Sequence, residues 1–196
     1  MPIDLFKRSS SSVYDVLIVG AGASGIGCAA ALKQCGIDNM MLVDSRGVGA
    51  TFEAWPKQMR MISPSFHSNP FGQPDLNSIT PHTSPADFLH TEHPTGAQYA
   101  GYLQAVAAYY ELDVKTGTEI KSIKKSGKTI TLESSDGPLE ARHVIWAAGE
   151  FFFPRANIEG AEHCIHNSSV KDWSELPGTE HAIIGGFESG IDAAVH

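Results

Sequence analysis

Apolar and polar stretches alternate between Tyr14 and Asp44 in the manner of a strand, a turn, a helix and a strand. Tyr14-Asp-Val-Leu-Ile-Val19 is a short apolar run rich in β-branched residues, which predicts a strand buried on both faces. Gly20 to Gly25 reads as a turn. Ile26 to Cys35 is alanine-rich and helix-favouring, and Gly36 follows as a C-cap. Met40-Met-Leu-Val43 is a second buried strand ending at Asp44. Together these predict one βαβ unit with a right-handed crossover.

Residues 45–96 lose this periodicity, and six of the eleven prolines lie at 64, 70, 74, 81, 85 and 94. A long irregular stretch is usually functional or disordered; Phe66, Phe71 and Phe88 favour ordered packing. Thr95-Gly-Ala-Gln98 is a capping box, and Tyr99, Tyr102, Leu103, Val106 and Tyr110 recur on one face of the helix it opens. Leu112-Asp-Val114 is a short strand. From 118 to 147, turns at Ser126-Gly127 and Asp136-Gly137 predict a small antiparallel meander, after which Val144-Ile-Trp-Ala147 returns to a buried strand. Ala182-Ile-Ile184 is another strand, followed at once by Gly185-Gly186 and the start of a helix.

Composition narrows the partners. Among 196 residues, 14 Lys+Arg face 22 Asp+Glu, a formal charge of −8, and no Lys or Arg stands between Arg60 and Lys115. Nucleic acid and anionic membrane both require clustered positive charge, so neither is expected as a partner. Charged residues at 18% and aromatics at 9% argue against disorder. Cys28, Cys35 and Cys164 form no CxxC and no metal-type spacing, which fits a reducing, cytoplasmic setting. His82, His90 and His93 lack the ligands to complete a metal set, so no metal is expected. Val16 to Leu32 has no charge over 17 residues, but four of them are glycine, which suits a backbone turn better than a membrane span. Residues 1–13, with four serines at 9–12, read as a loose tail.

Gly20-Ala-Gly22-Ala-Ser-Gly25 is G-x-G-x-x-G, and its context supplies the meaning: it follows a strand, opens a helix and has an acid, Asp44, 19 residues past its last glycine. Gly20 allows the tight turn, Gly22 lets the backbone approach a pyrophosphate, and Gly25 allows close helix–strand packing. The helix N-terminus receives the anion, and Asp44 is placed to bind ribose hydroxyls. The segment Ala182-Ile-Ile-Gly185-Gly-Phe-Glu-Ser-Gly190 repeats this grammar 165 residues later. Two dinucleotide sites in one chain suggest a flavin nucleotide and a nicotinamide nucleotide.

In this order, Gly20-Ala-Gly-Ala-Ser-Gly25, Thr51-Phe-x-x-Trp-Pro56, Ala147-Ala-Gly149 with Pro154, and Gly185-Gly-x-x-Ser-Gly190 resemble the two-dinucleotide flavoproteins, and most of all small bacterial flavin-containing monooxygenases. The resemblance covers roughly residues 14–196. It implies an α/β fold: a Rossmann-like FAD-binding domain with a parallel sheet and a small meander over 14–155, and the beginning of a Rossmann-like NAD(P)-binding domain over 156–196. It implies FAD on Gly20, Gly22, Ala23, Ser24, Gly25, Asp44, Ser45, Thr51, Trp55, Ile120, Ala148 and Gly149, and NADPH or NADH on Gly185, Gly186, Ser189 and Gly190. Oxygen and a small organic molecule would be the substrates, with insertion through a flavin hydroperoxide, and a homodimer is compatible with the architecture. Arg60 is assigned a catalytic role, stabilising anionic reduced flavin, with a solvated surface arginine as the other reading.

The sequence departs from the family at several points. Asp44 stands where Glu is common, and Ala147-Ala-Gly149 replaces Ala-Thr-Gly. His166-Asn-Ser-Ser-Val-Lys171 is near the His-Ser-x-x-Tyr-Lys of flavin monooxygenases, while Gly160, His166 and Trp173 only partly echo the Baeyer–Villiger fingerprint; a plain loop packed by a tryptophan is the alternative. Ser24 stands where bacillithiol-disulfide reductases often carry Cys, and Cys28 one turn on reads as a small buried residue. By resemblance a complete member continues past His196, so this chain is expected to be a piece that binds NAD(P)H poorly, with the apolar face of Gly190 to Val195 unpacked. A flavin-dependent reductase without CxxC, or a non-catalytic nucleotide-binding fragment, are the competing readings.

Overall fold

A computed structural model describes residues 13–67, 72–155 and 157–196. The tail at 1–12, Pro70 and Phe71 lie outside the described residues. The βαβ unit forms as its pattern demands: β1 (Tyr14–Val19), α1 (Ala23–Gln34) and β2 (Met40–Val43), with β1 and β2 parallel. α1 stops at a Schellman turn. Gly36, at φ 77°, lets its own N–H donate to Lys33 O and that of Ile37 donate to Leu32 O, both at 3.0 Å.

The remaining strands are β3 (Val114–Lys115), β4 (Ile120–Ser126), β5 (Thr129–Ser134) and β6 (Gly137–Trp146). All six form one sheet in the order β3-β2-β1-β6-β5-β4. Here the structure corrects the sequence reading. The last meander strand and the separate strand expected at Val144–Ala147 are one ten-residue strand, β6, antiparallel to β5 and parallel to β1. The end of that strand is not buried either; Trp146 is 59% exposed. The strand expected at Leu112–Val114 begins at Val114. β4 is an edge, and its exposed Lys121, Lys124 and Lys125 discourage further strand pairing.

One face of the sheet carries the larger core. Val16, Ile18, Met40 and Leu42 meet Ile26 and Ala29 of α1 and Tyr99, Tyr102, Leu103 and Val106 of α4 (Gly96–Tyr109). α4 opens with the expected capping box between Thr95 and Gln98. The opposite face buries Leu17, Val19, Val43, Leu132 and Ala141.

The irregular segment 45–96 contains two short helices, α2 (Ala50–Glu53) and α3 (Pro85–Leu89). A polar hub orders much of it, while Phe66 and Phe88 are 42% and 53% exposed. Asp75 is fully buried. Its Oδ1 accepts from Asn77 N at 2.7 Å, and its Oδ2 accepts from Ser84 Oγ at 2.6 Å and Ala86 N at 3.1 Å. With no Lys or Arg between Arg60 and Lys115, neutral donors do the work that an ion pair does elsewhere. Tyr99 donates to Asn77 O at 2.8 Å, and the Tyr102 hydroxyl lies 2.8 Å from Thr83 Oγ1, so α4 holds the loop by its phenols. Burial pushes both phenols up from their ordinary value, which keeps Tyr99 a donor.

Residues 157–187 carry three 3-10 turns and then α5 (Glu188–Val195). Ala182–Ile184, expected as a strand, is not one: it pairs with no strand among the described residues, and Ile183 and Ile184 are 44% and 68% exposed. A lone extended segment leaves its ladder groups to water. None of the described helices is long and apolar enough to cross a membrane, and Val16 to Leu32 is β1, the glycine turn and most of α1.

Candidate functional site

Chain order makes a crevice. From β1 the chain goes one way to β2 and β3, then returns to the other side of β1 as β6. The carboxyl ends of β2, β1 and β6 therefore meet at a topological switch point, where open α/β sheets take their ligands. The first glycine turn sits at the end of β1.

Each glycine in that turn has a distinct physical requirement. Gly20 is at φ 107°, and a Cβ there would stand 2.2 Å from Ala147 O at the end of β6. A Cβ on Gly25 would stand 1.9 Å from Gly20 O, so the helix can approach the turn only without one. Gly22 differs: a Cβ there meets nothing within 4 Å. The protein itself does not need that glycine; open space in front of the helix does. Gly22 is also the N-cap of α1, with no side-chain cap and no acid in the first turn, which holds Ala23, Ser24 and Gly25. An uncapped helix N-terminus with an open approach suits an anion.

Asp44 closes the other side. Its Oδ2 accepts from Ala21 N at 2.8 Å, and its Oδ1 accepts from Arg46 N at 2.7 Å and Gly47 N at 2.9 Å. Thus the acid braces the glycine turn as well as facing the crevice, a second duty that sequence spacing did not suggest. A carboxylate offers about four lone-pair directions, so three donors leave room for a hydroxyl. Ser45 beside it is exposed. Thr118 N donates to Asp44 O at 2.9 Å, which brings the start of β4, and Ile120, to the same rim. Ala148 and Gly149 follow β6 there, with Ala148 Cα 3.0 Å from where a Gly20 Cβ would be.

Thr51 lies in α2, and Trp55 just past it stacks obliquely on Phe52 at 5.0 Å. Both are half-buried, and α2 is pressed on the start of α4, where a Gly96 Cβ would meet Phe52 O at 2.1 Å. Arg60 has local partners. Its guanidinium donates to the carbonyls of Lys57 and Met59 at 3.0 and 3.2 Å, and its backbone bridges to Thr95. Those bonds turn the group back on its own loop.

Trp173, with Met59 and Val170, forms a third small core, against which Trp55 and Ala193 of α5 pack. So α5 is not unpacked as expected, although Ile191 and Val195 remain 55% and 74% exposed. Trp173 donates its Nε1–H to Asn167 Oδ1 at 3.1 Å, and His166 caps a 3-10 turn by accepting from Ser168 N. Both residues serve the linker's packing. Gln58 donates to Asp172 Oδ1, and Lys57 lies 3.5 Å from Asp172 Oδ2, so a polar clasp joins the linker to the Trp55 loop. Hydrogen bonds from the Ser174 hydroxyl and then Gln58 hold the Asp172 carboxyl down to about 2. A depressed carboxyl stabilises the folded form above its ordinary value near 4 and loses that contribution as pH falls through about 2. Trp173 fluorescence should therefore change between roughly pH 4 and 2 in the wild type. Asp172→Asn should flatten that acid step; an unaltered step would show the clasp is not its source.

The second glycine turn is built like the first. Gly185 is at φ 110°, and a Gly190 Cβ would stand 2.1 Å from Gly185 O. Gly186 precedes α5, and Ser189 is in its first turn.

The chain is similar to known proteins in sequence and in fold. The chain is 27% identical over 199 residues to the FAD-dependent urate hydroxylase of Xanthomonas campestris, covering 93% of this chain and 42% of that protein. It is 22% identical over 191 residues to an uncharacterized oxidoreductase, CzcO, of Bacillus velezensis, covering 93% and 51%. A flavin monooxygenase from Stenotrophomonas maltophilia has the same fold at TM-score 0.71 and 23% identity, over 92% of this chain and 53% of that one. A bacillithiol disulfide reductase from Staphylococcus aureus matches at TM-score 0.65 and 21% identity, over 78% and 43%. The chain thus spans about half the length of these relatives. Residues 17–196 match the pyridine nucleotide-disulphide oxidoreductase family, and with most of its length in that match the chain belongs to this family of flavoprotein oxidoreductases.

Proposed function

We propose that the chain is an FAD-dependent, NAD(P)H-using oxidoreductase that oxygenates a small organic molecule, with FAD on the first glycine turn and the nicotinamide nucleotide on the second. The observation that carries the reading is Gly22, whose missing Cβ opens the uncapped end of α1 toward the crevice while its neighbours Gly20 and Gly25 are explained by packing alone. The chemistry FAD supplies when bound is electron transfer from a nicotinamide to oxygen. This chain's residues would bind and orient. The first N–H groups of α1 would face the pyrophosphate, Asp44 would accept from the ribose, and Thr51 and Trp55 would border the flavin end. Residues 14–155 would form the flavin domain and 156–196 would begin the nicotinamide domain, in the reducing cytoplasm that three unpaired cysteines suit.

Oxygenation is favoured over disulfide reduction because Ser24 stands in the first turn, no CxxC exists, and the 27% identical relative is a hydroxylase. NADPH oxidation tightly coupled to substrate oxygenation supports this; rapid electron transfer to a disulfide with little oxygen uptake would replace it with the reductase reading. Asp44→Asn removes the charge and one of the two acceptor oxygens, so either Ala21 N or the pair Arg46 N and Gly47 N loses its partner. It should weaken FAD by about 1.5–3 kcal/mol, the scale of a hydrogen bond to a charged group. FMN, which lacks the adenosine ribose, should bind as before in a fluorescence titration. Equal losses for FAD and FMN would assign Asp44 to the turn alone.

A further inference from the structure

The two glycine turns share key backbone angles and differ in side chains, with Ala21-Gly22-Ala23 in the first standing against Gly186-Phe187-Glu188 in the second. Gly20 and Gly185 have φ 107° and 110°. The carbonyls of Gly20 and Gly185 lie 1.9 and 2.1 Å from the Cβ positions of Gly25 and Gly190, and Ile18 and Ile183 place Cγ2 3.6 Å from those same positions. The N-caps also agree: Gly22 at φ −82°, ψ −170° and Phe187 at φ −101°, ψ −169°. In the first turn the N-cap position has no Cβ and points into open space; in the second the same position carries a benzyl group that is 82% exposed. The turns differ in charge too. α1 has no acid in its first turn, whereas α5 begins with Glu188.

A pyrophosphate can lie against the first turn because nothing stands between it and the helix N–H groups. At the second turn Phe187 holds the matching N-cap position, so its side chain starts where the first turn is open, and Glu188 offsets the favourable end of the helix dipole. We propose that Phe187 makes the second turn a site of weak, exchangeable dinucleotide binding, so that one turn keeps its nucleotide resident and its near-copy only receives one in passing. The assignment rests on reading Gly185–Gly190 as the nicotinamide-nucleotide turn. A resident flavin and a visiting hydride donor need opposite affinities, and Phe187, with Glu188 beside it, supplies the difference on a shared backbone frame.

The test is calorimetric titration of the FAD-loaded chain with NADP+, which binds without redox change. Phe187 makes no capping bond, and glycine is well tolerated at an N-cap, so F187G leaves α5 intact. F187G should bind NADP+ at least tenfold more tightly than wild type with an unchanged flavin spectrum. F187A, which removes the ring without freeing the backbone, should fall between the two. Unchanged or weaker NADP+ binding by F187G overturns the proposal. G190V is the control, because its side chain would drive into Gly185 O and destroy the turn. Loss of NADP+ binding in G190V with no gain in F187G defeats the role of Phe187 alone. Binding by G190V equal to wild type, or no NADP+ binding by any of these proteins, defeats the nucleotide reading of the turn and the proposal with it.

Discussion

Gly22→Val should leave the chain folded and strip it of FAD. The two halves of that result have separate causes. A Cβ at Gly22 meets no atom within 4 Å, and its backbone at φ −82°, ψ −170° is open to any residue. Folding therefore loses only about 1 kcal/mol, the gap between glycine and a β-branched residue at an N-cap. The isopropyl group, however, fills the path to the uncapped α1 N-terminus. A loss of about a thousandfold in FAD affinity, or about 4 kcal/mol, is expected if the pyrophosphate can no longer reach those donors. Flavin content of the purified variant and its far-ultraviolet circular dichroism decide the matter. Full flavin occupancy in a folded variant would remove the first turn as the FAD site.

Gly25→Ala should do the reverse, damaging the fold whether or not any cofactor binds. Its methyl would lie 1.9 Å from Gly20 O and 2.9 Å from Gly20 C, both backbone atoms that cannot rotate away. Gly20 in turn is held by its N–H bond to Val43 O at 2.8 Å and by Ala147 O on its far side. Relief requires lifting α1 off the sheet, which exposes Ile26 and Ala29 from the main core. A cost of about 3 kcal/mol or more is expected, at the upper end of overpacking penalties. Urea denaturation of the cofactor-free chain measures it. A midpoint within error of wild type would mean that the turn relaxes far more easily than its contacts imply.

The βαβ unit was legible because its signals are local: β-branched runs, a G-x-G-x-x-G turn and a glycine at the helix C-cap. The α4 capping box was legible for the same reason. What sequence reading missed was set by partners distant in the chain. β6 reads as two strands because its outer part pairs with β5 and its inner part with β1, so its burial pattern changes along its length. Ala182–Ile184 has the composition of a strand, but pairing is not a property of three residues. Arg60 stands out as the last cation before a cation-free stretch, and the two carbonyls that its guanidinium meets cannot be read from that. The bracing of Ala21 by Asp44 spans 23 residues, and the spacing that suggested a ribose acceptor is silent about it. Phe187 could have been singled out earlier, since aligning the two glycine segments residue by residue sets it opposite Gly22.

The Asp75 hub bears on how this chain can be altered. By length and proline content the segment from Arg60 to Thr95 is where one would insert a tag, a cleavage site or a reporter. The hub reverses that expectation for part of it. Asp75 reaches partners at 77, 84 and 86, Asn77 donates to Ser63 O at 2.6 Å, and Ile79 N meets Tyr102. One extra residue between 75 and 86 shifts every later partner out of register with a carboxylate whose segment holds no Lys or Arg to fall back on. The tolerant site is instead the tip joining β4 to β5, where the chain turns at Gly127, whose Cβ position has no neighbour within 4 Å. The tip joining β5 to β6 is tied down: Asp136 accepts from Thr118 Oγ1 at 3.0 Å and pairs with Lys115 at 2.8 Å. In this fold a hairpin tip offers the permissive joint, and the coil from 75 to 86 is a part whose length is fixed.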